Sequence, residues 1–238
     1  MDEYYKLPRL YIEAQLKQGA TLGLLPSHAH YLHNVLRREA GAKIRLFNGK
    51  DGEWLGHLAT LDKKNAVVVL TEQLRQQPQN SKAVHLLFAP IKKTPMEFLI
   101  EKAVELGATD LHPVITTRTE NRKLNEERLR AQIFEAAEQC ERLMIPRLHA
   151  ATPLLTKLVA WDASIPLLAC LERSENTTYI SEIMPKGDLG VLIGPEGGFD
   201  RQEYDKITAH PAVKPASLGE AVLRAETAAL KALSLVQP

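Results

Sequence analysis

Residues Leu189-Gly190-Val191-Leu192-Ile193 are apolar without alternation, and the run stops abruptly at Gly194-Pro195-Glu196-Gly197-Gly198. A strand that is apolar at every position has both faces buried, the pattern of a parallel sheet covered by helices on each side. Val84–Ala89 is a second run of this kind. It leads into Met96–Leu106, where Phe98, Ile100, Ala103, Val104 and Leu106 make an apolar helix that Gly107 stops. Leu111–Ile115 and Pro166–Cys170 read as further strands. Asn125 is placed to cap a helix over roughly 126–141, with Glu126 and Glu127 at its positive end. Asp200 with Glu203 has capping-box spacing and starts another helix. A short strand around Val213–Leu218 and a last helix follow. Strands alternating with helices predict an α/β domain with a mostly parallel sheet.

The first part of the chain has a different texture. Arg9–Ile12 and Thr21–Leu25 read as short strands. Ser27 is an expected N-cap for a helical stretch carrying Tyr31, Leu32, Val35 and Leu36, and Gly41 suits the left-handed residue that ends it. Lys43–Phe47, Glu53–Leu61 and Ala66–Leu70 are separated by turn residues and read as hairpins, compatible with a small β-barrel. Residues 71–83 are polar, contain four glutamines and lack periodicity. The expected organisation is a barrel domain over 1–72, a linker over 73–83 and the α/β domain over 84–238.

Composition excludes several classes. A net charge of +1 over 238 residues means that any basic surface is local. The two cysteines, Cys140 and Cys170, have no CxxC spacing, so reduced thiols and a reducing compartment are expected rather than a zinc finger. No apolar run approaches a membrane span, and Met1–Lys6 lacks the apolar core of a signal peptide. A cytoplasmic protein without membrane contact is the expectation. His28, His30 and His33 do not all share one helical face, so no metal is expected.

The glycines after Ile193 let backbone N–H groups approach a ligand, and the carboxyl end of a parallel strand is where α/β folds bind ligands. A tight turn that needs glycine only for its φ angles is the other reading. Without a following Lys-Ser/Thr, the loop is not that of a phosphate-hydrolysing P-loop protein. In Ser217-Leu218-Gly219-Glu220-Ala221-Val222-Leu223-Arg224-Ala225-Glu226, Arg224 falls near a helix start, where a cation is unfavourable. It points to a ligand role, or else to a surface arginine paired with Glu220 or Glu226. His210 reads as a helix-end residue.

Together, Gly194–Phe199 and Leu218–Ala228 resemble the C-terminal signature of SPOUT-class RNA methyltransferases. More specifically they resemble the RsmE family, which methylates N3 of a uridine in 16S ribosomal RNA. Met96–Gly107, Arg118-Thr119 and Glu135–Cys140 with Arg142 are similar to that family's earlier elements. Arg9, His30–Arg37, Gly41 and Phe47-Asn48-Gly49 resemble its PUA-like RNA-binding domain. The family usually has glycine before the arginine matching Arg142, where this chain has Glu141. At the positions of Glu220-Ala221 it is often less acidic and includes a basic residue.

The resemblance implies a trefoil-knotted α/β domain behind a PUA-like barrel, acting as a homodimer on 16S rRNA or the small ribosomal subunit. S-adenosyl-L-methionine would lie among three loops. These carry Leu171, Glu172 and Arg173, then Ile193, Gly194, Pro195, Glu196, Gly197 and Gly198, then Ser217, Leu218, Gly219, Val222 and Leu223. Arg224 is the candidate for stabilising the uridine anion, with Glu226 orienting it. Phosphate contacts are expected from Arg9, Arg37, Arg38, Lys92, Lys93, Arg118, Arg122, Lys123 and Arg142.

Overall fold

A computed structural model describes residues 3–79, 82–171 and 177–236. The chain separates into two compact units. One comprises Met1–Asn80 with Ala137–Ile145, and the other Ser81–Ala136 with Pro146–Pro238.

In the first unit, β1 (Arg9–Tyr11), β2 (Thr21–Gly23), β3 (Lys43–Phe47), β4 (Glu53–Leu61) and β5 (Ala66–Arg75) form a curled sheet in the order β1-β3-β4-β5-β2. The β1–β3 pair is parallel and the others are antiparallel. Leu10, Ile44, Leu46, Leu58, Val68 and Leu70 alternate inward from these strands. They meet Ala29 and Leu32 from the helical stretch that precedes β3.

That stretch starts one residue earlier than Ser27. α1 (Pro26–His30) has Leu25 as its N-cap, with no side-chain cap, and Pro26 holds the first helical position, where its missing N–H costs nothing. It widens over Tyr31–Val35 into π-helical turns, in which the Leu36 N–H donates to the Tyr31 carbonyl. Arg37, at φ 51°, ends it, a role expected of Gly41. Gly41 lies further on and donates its N–H to Leu58. The residues from 73 expected as linker begin instead as strand. β5 continues through Arg75, pairing Gln73 with Trp54 and Arg75 with Glu53.

Glu53 is the electrostatic centre of this unit. It is 1% exposed. Arg9 donates Nε–H to its Oε1 at 2.5 Å, the Arg75 Nε lies 2.9 Å from Oε2, and an Arg45 Nη lies 3.7 Å from Oε1. The remaining Arg9 donors go to the carbonyls of Ala137 and Arg142, and its guanidinium stacks on Phe47 at 3.5 Å. Arg9 is therefore a buried structural arginine, which corrects its expected role at RNA phosphates. Arg142 is half-buried and burial lowers its pKa, so it too is poorly placed for phosphate.

Glu141 adopts φ 57°. For a residue with a Cβ this left-handed conformation costs about 1–2 kcal/mol. Its carboxylate accepts from Arg45 at 2.7 Å and its carbonyl from Arg75 at 2.7 Å, contacts that offset the cost. The Arg45 guanidinium holds the Glu141 carboxyl below the usual carboxylate range. A glutamate thus occupies a conformation suited to the glycine usual in the resembling family.

The second unit is a parallel sheet. Its main strands are β6 (Val84–Phe88), β7 (Asp110–Ile115), β8 (Arg147–Leu148), β10 (Leu167–Cys170), β11 (Thr178–Tyr179), β12 (Leu189–Ile193) and β13 (Val213–Ser217). They run in the order β11-β13-β10-β12-β6-β7-β8, and β9 (Thr152–Pro153) also pairs with β7. Every described residue of β12 is buried, as its continuous apolar run requires. The helices are α2 (Lys93–Glu105), α3 (Glu126–Gln139), α4 (Leu154–Val159), α5 (Arg201–Ala209) and α6 (Ala225–Val236). α3 begins with its first turn bonded to the Asn125 side chain, and α5 carries the complete Asp200–Glu203 capping box. None of the described helices is long and apolar enough to cross a membrane.

From β13, on the far side of β10 from β12, the chain returns to lay α6 on α2, β12 and the turn Ile180–Glu182. That turn belongs to the β10–β12 connection, which carries β11 on the outside of β13. The return lays the last helix against the connection between β10 and β12.

Candidate functional site

Parallel pairing of β10 with β12 and with β13 brings the carboxyl ends of the three strands together. A cavity of about 600 Å³ opens there, within the range of small-molecule and cofactor pockets. It is lined by Leu171 after β10, by Ile193, Gly194, Pro195, Glu196, Gly197 and Gly198 after β12, and by Ser217, Leu218, Gly219, Val222 and Leu223 after β13. Glu172 and Arg173 fall outside the described residues.

The glycines do different things. A Cβ on Gly194 would lie 2.9 Å from the ring of Phe199, which folds back over it, so glycine there is a packing requirement. Gly219 has φ 112°, a conformation that side-chain-bearing residues avoid. Gly197 is different. Its φ is ordinary and a Cβ would rest 3.6 Å from Arg118, so nothing inside the chain demands glycine. The need for close backbone approach falls on this position.

Neighbouring elements brace the loop. Glu203, 4% exposed, accepts from the Thr117 N–H at 2.7 Å and from the Asp200 N–H at 3.1 Å. It thereby ties the end of β7 to the start of α5. Arg118 donates to the Gly197 carbonyl at 2.7 Å. The Asp200 carboxyl is held below its ordinary range by the Glu203 N–H and the Thr117 hydroxyl.

The lining has a definite electrostatic character. Among the described residues it includes Glu196 and Glu220 but no lysine, arginine or histidine. A cavity of that kind suits a cationic ligand with apolar and hydrogen-bonding parts, and it offers phosphate no cationic side chain among the described residues. Cys170 also lines it, but burial pushes its thiol up to about 12, so it stays protonated and is no nucleophile.

Arg224 is exposed and sits directly before α6, between Leu223 and Ala225, which both line the cavity. Its guanidinium has no hydrogen bond or ion pair among the described residues. Among the described residues no hydrogen bond joins it to Glu226, whose Oε2 is buried without a hydrogen-bond partner. His210 caps the C-terminus of α5, its Nδ1 accepting from Ala212. Arg37, Arg38, Lys92, Lys93, Arg118, Arg122 and Lys123 are exposed.

The lining also includes residues not among the predicted cofactor contacts: Cys170, Thr177, Phe199, Tyr204, Ala216, Glu220, Ala221, Ala225 and Ala228. Phe199 carried a signal, since an aromatic directly after glycines folds readily onto them. Tyr204 is reached only through the packing of α5.

An RNA methyltransferase domain model matches residues 78–237, and an RNA methyltransferase PUA domain model matches residues 27–71. Fold and site therefore define an RNA methyltransferase domain accompanied by a PUA-like barrel. A ribosomal RNA small subunit methyltransferase E from Rickettsia conorii is 35% identical, covering 98% of this chain and 96% of the relative. A Legionella pneumophila protein solved with the bound cofactor SAM has a TM-score of 0.86 at 30% identity, covering 98% of this chain and 97% of its own. A ribosomal RNA small subunit methyltransferase E from Neisseria gonorrhoeae, bound to S-adenosyl methionine, has a TM-score of 0.86 at 27% identity and covers 95% of each chain. The chain belongs to the ribosomal RNA small subunit methyltransferase E family.

Proposed function

We propose that the protein transfers a methyl group from S-adenosyl-L-methionine to N3 of a uridine in 16S ribosomal RNA. The observation that carries this is the cavity at the carboxyl ends of β10, β12 and β13, rich in backbone polar groups, with carboxylates and no cation among its described lining residues. Bound there, S-adenosylmethionine supplies an activated methyl on a sulfonium, so the chain's main task is positioning. The Ile193–Gly198 and Ser217–Leu223 backbones would hold the adenosine part, and Glu196 and Glu220 suit the cationic centres. Arg224, at the rim, would stabilise the anion on the pyrimidine oxygens as the N3 proton leaves. Exposed Arg37 and Arg38 in the barrel, and Lys92, Lys93, Arg118, Arg122 and Lys123 in the second unit, would hold the RNA backbone without reading its sequence.

The active form is read as a cytoplasmic homodimer acting on 16S rRNA or the small subunit. Tyr179 and Val222, 50% and 64% exposed, place apolar surface beside the cavity loops, in keeping with an interface there. The barrel is read as the RNA-holding domain, with 84–238 as the catalytic domain.

Mass spectrometry of 16S rRNA from cells lacking this chain should show loss of an N3-methyluridine that returns on re-expression. Retention of every such nucleoside would sink the assignment. Gly219→Ala should weaken S-adenosylmethionine binding. Strain of about 1–3 kcal/mol at that φ displaces the loop, which corresponds to roughly a five- to 150-fold loss in calorimetric affinity. An unchanged affinity would mean that this loop does not touch the cofactor.

A further inference from the structure

The opposite end of the parallel sheet carries a second group of functional side chains, remote in role from the cavity. His85 is the second residue of β6, and Asp110 and His112 are the first and third of β7. His85 pairs with Asp110 in register, and residues two apart on a strand share a face, so all three project to one side. The His85 Nδ1 lies 3.1 Å from the His112 Nε2 and 3.7 Å from an Asp110 carboxylate oxygen. One ligand atom from each of the three falls within 4.8 Å of the others. His149, just past β8, contacts the second Asp110 oxygen at 2.8 Å and stacks on His112 with centroids 3.9 Å apart. Trp161 closes the group edge-on.

Hydrogen bonding alone leaves this arrangement incomplete. A single proton serves the His85–His112 contact, and the His112 Nδ1 has no partner although the residue is 4% exposed. The orphaned Nδ1 is not the atom that faces His85, a contact His112 makes through Nε2, so the case for an ion rests on the spacing of the three ligand atoms. Metal–ligand bonds of about 2.1 Å in a tetrahedron place ligand atoms about 3.4 Å apart, and the His85–His112 and His85–Asp110 separations of 3.1 and 3.7 Å lie on either side of that, with all three atoms within 4.8 Å.

We propose that His85, His112 and Asp110 form a binding site for a divalent transition cation of the Zn²⁺ type, with His149 as a positioning residue acting through Asp110. Two imidazole nitrogens and one carboxylate oxygen suit Zn²⁺ rather than Mg²⁺ or Ca²⁺, which prefer all-oxygen sets. A carboxylate whose other oxygen is held by a histidine is a common outer-shell support. Lys157 opposes a cation here, while Asp110 and Asp188 favour one, and burial depresses the lysine's own protonation. Three protein ligands leave a further coordination position open. Side-chain exposures of 16% for His85 and 17% for Asp110 give a path for entry. Occupation would clamp β6 to β7 at the end of the sheet opposite the cavity, a structural function separate from methyl transfer.

The test uses the full chain after chelator treatment. Zn²⁺ is titrated by calorimetry, and Co²⁺ by visible absorption. Native protein should bind Zn²⁺ saturably, gain thermal stability on binding, and give the intense d–d bands of low-coordinate Co²⁺. His85→Gln and Asp110→Asn, both at half-buried positions and checked for native circular dichroism, should each weaken Zn²⁺ by about tenfold or more. Equal Zn²⁺ affinity in native and variant chains, or a Co²⁺ spectrum of the weak six-coordinate type, would overturn the proposal. If both variants misfold, His149→Gln decides. It should weaken Zn²⁺ binding, and an unchanged affinity overturns the proposal.

Discussion

Arg224→Ala is expected to reduce methyl transfer about a hundred- to a thousand-fold, the usual range for removing one group that stabilises a developing anion. S-adenosylmethionine affinity should change little. Both expectations come from where the residue sits. Arg224 is exposed, has no partner among the described residues, and lies between two residues that line the cavity. A cation at the start of α6 opposes the helix dipole, so its removal should not destabilise the fold and could stabilise it slightly. Loss of activity therefore cannot be traced to unfolding, which a thermal melt would verify. Single-turnover transfer to small-subunit RNA measures the chemical step, and calorimetry measures the cofactor. If affinity falls together with turnover, Arg224 is a cofactor ligand. If neither changes, it is only a surface arginine. Arg224→Lys separates charge from shape, since an ammonium keeps the charge without the planar fork.

What could be read from the sequence follows the distance over which each feature is determined. The Asp200–Glu203 capping box and the Asn125 cap are complete within one helical turn, and both form as read. The buried strands β6 and β12 were legible because a sheet covered on both faces leaves a continuous apolar run. The last residues of β5 were not. Thr71–Gln73 are exposed and Leu74 and Arg75 only half-buried, so no period of two marks them, and their pairing with β4 arises from the partner strand.

Side-chain roles failed where the deciding partner was remote. Arg9 looks like a free phosphate contact until Glu53, 44 residues away, takes its Nε–H. The histidine cluster is likewise invisible in the chain, because its members are joined only by the pairing of β6 with β7 and of β7 with β8. The cavity was different. Its three loops are distant from one another, but the loops after β10 and β12 follow apolar strands and the loop after β13 carries its own glycine.

Glu53→Ala should cost about 3–5 kcal/mol of stability in the N-terminal unit, the range for breaking a buried charge network by removing one partner. The carboxylate is 1% exposed and faces Arg9, Arg45 and Arg75. Arg9 and Arg45 have side chains only 3% and 6% exposed, so neither can turn to water once the anion is gone. Glu141 would remain as a partner of Arg45 but makes no contact that could neutralise Arg9. Desolvation already lowers the pKa of Arg9, and the hydrogen bond and charge of Glu53 are what oppose that shift. Urea unfolding followed by circular dichroism measures the loss. Glu53→Gln keeps the shape and should recover only part of it, because the missing element is charge. A double variant, Arg9→Met with Glu53→Met, should be less destabilised than Glu53→Ala alone, since it leaves fewer buried cations unpaired. A loss below about 1 kcal/mol for Glu53→Ala would mean that water already reaches these arginines, and the network would then hold nothing together.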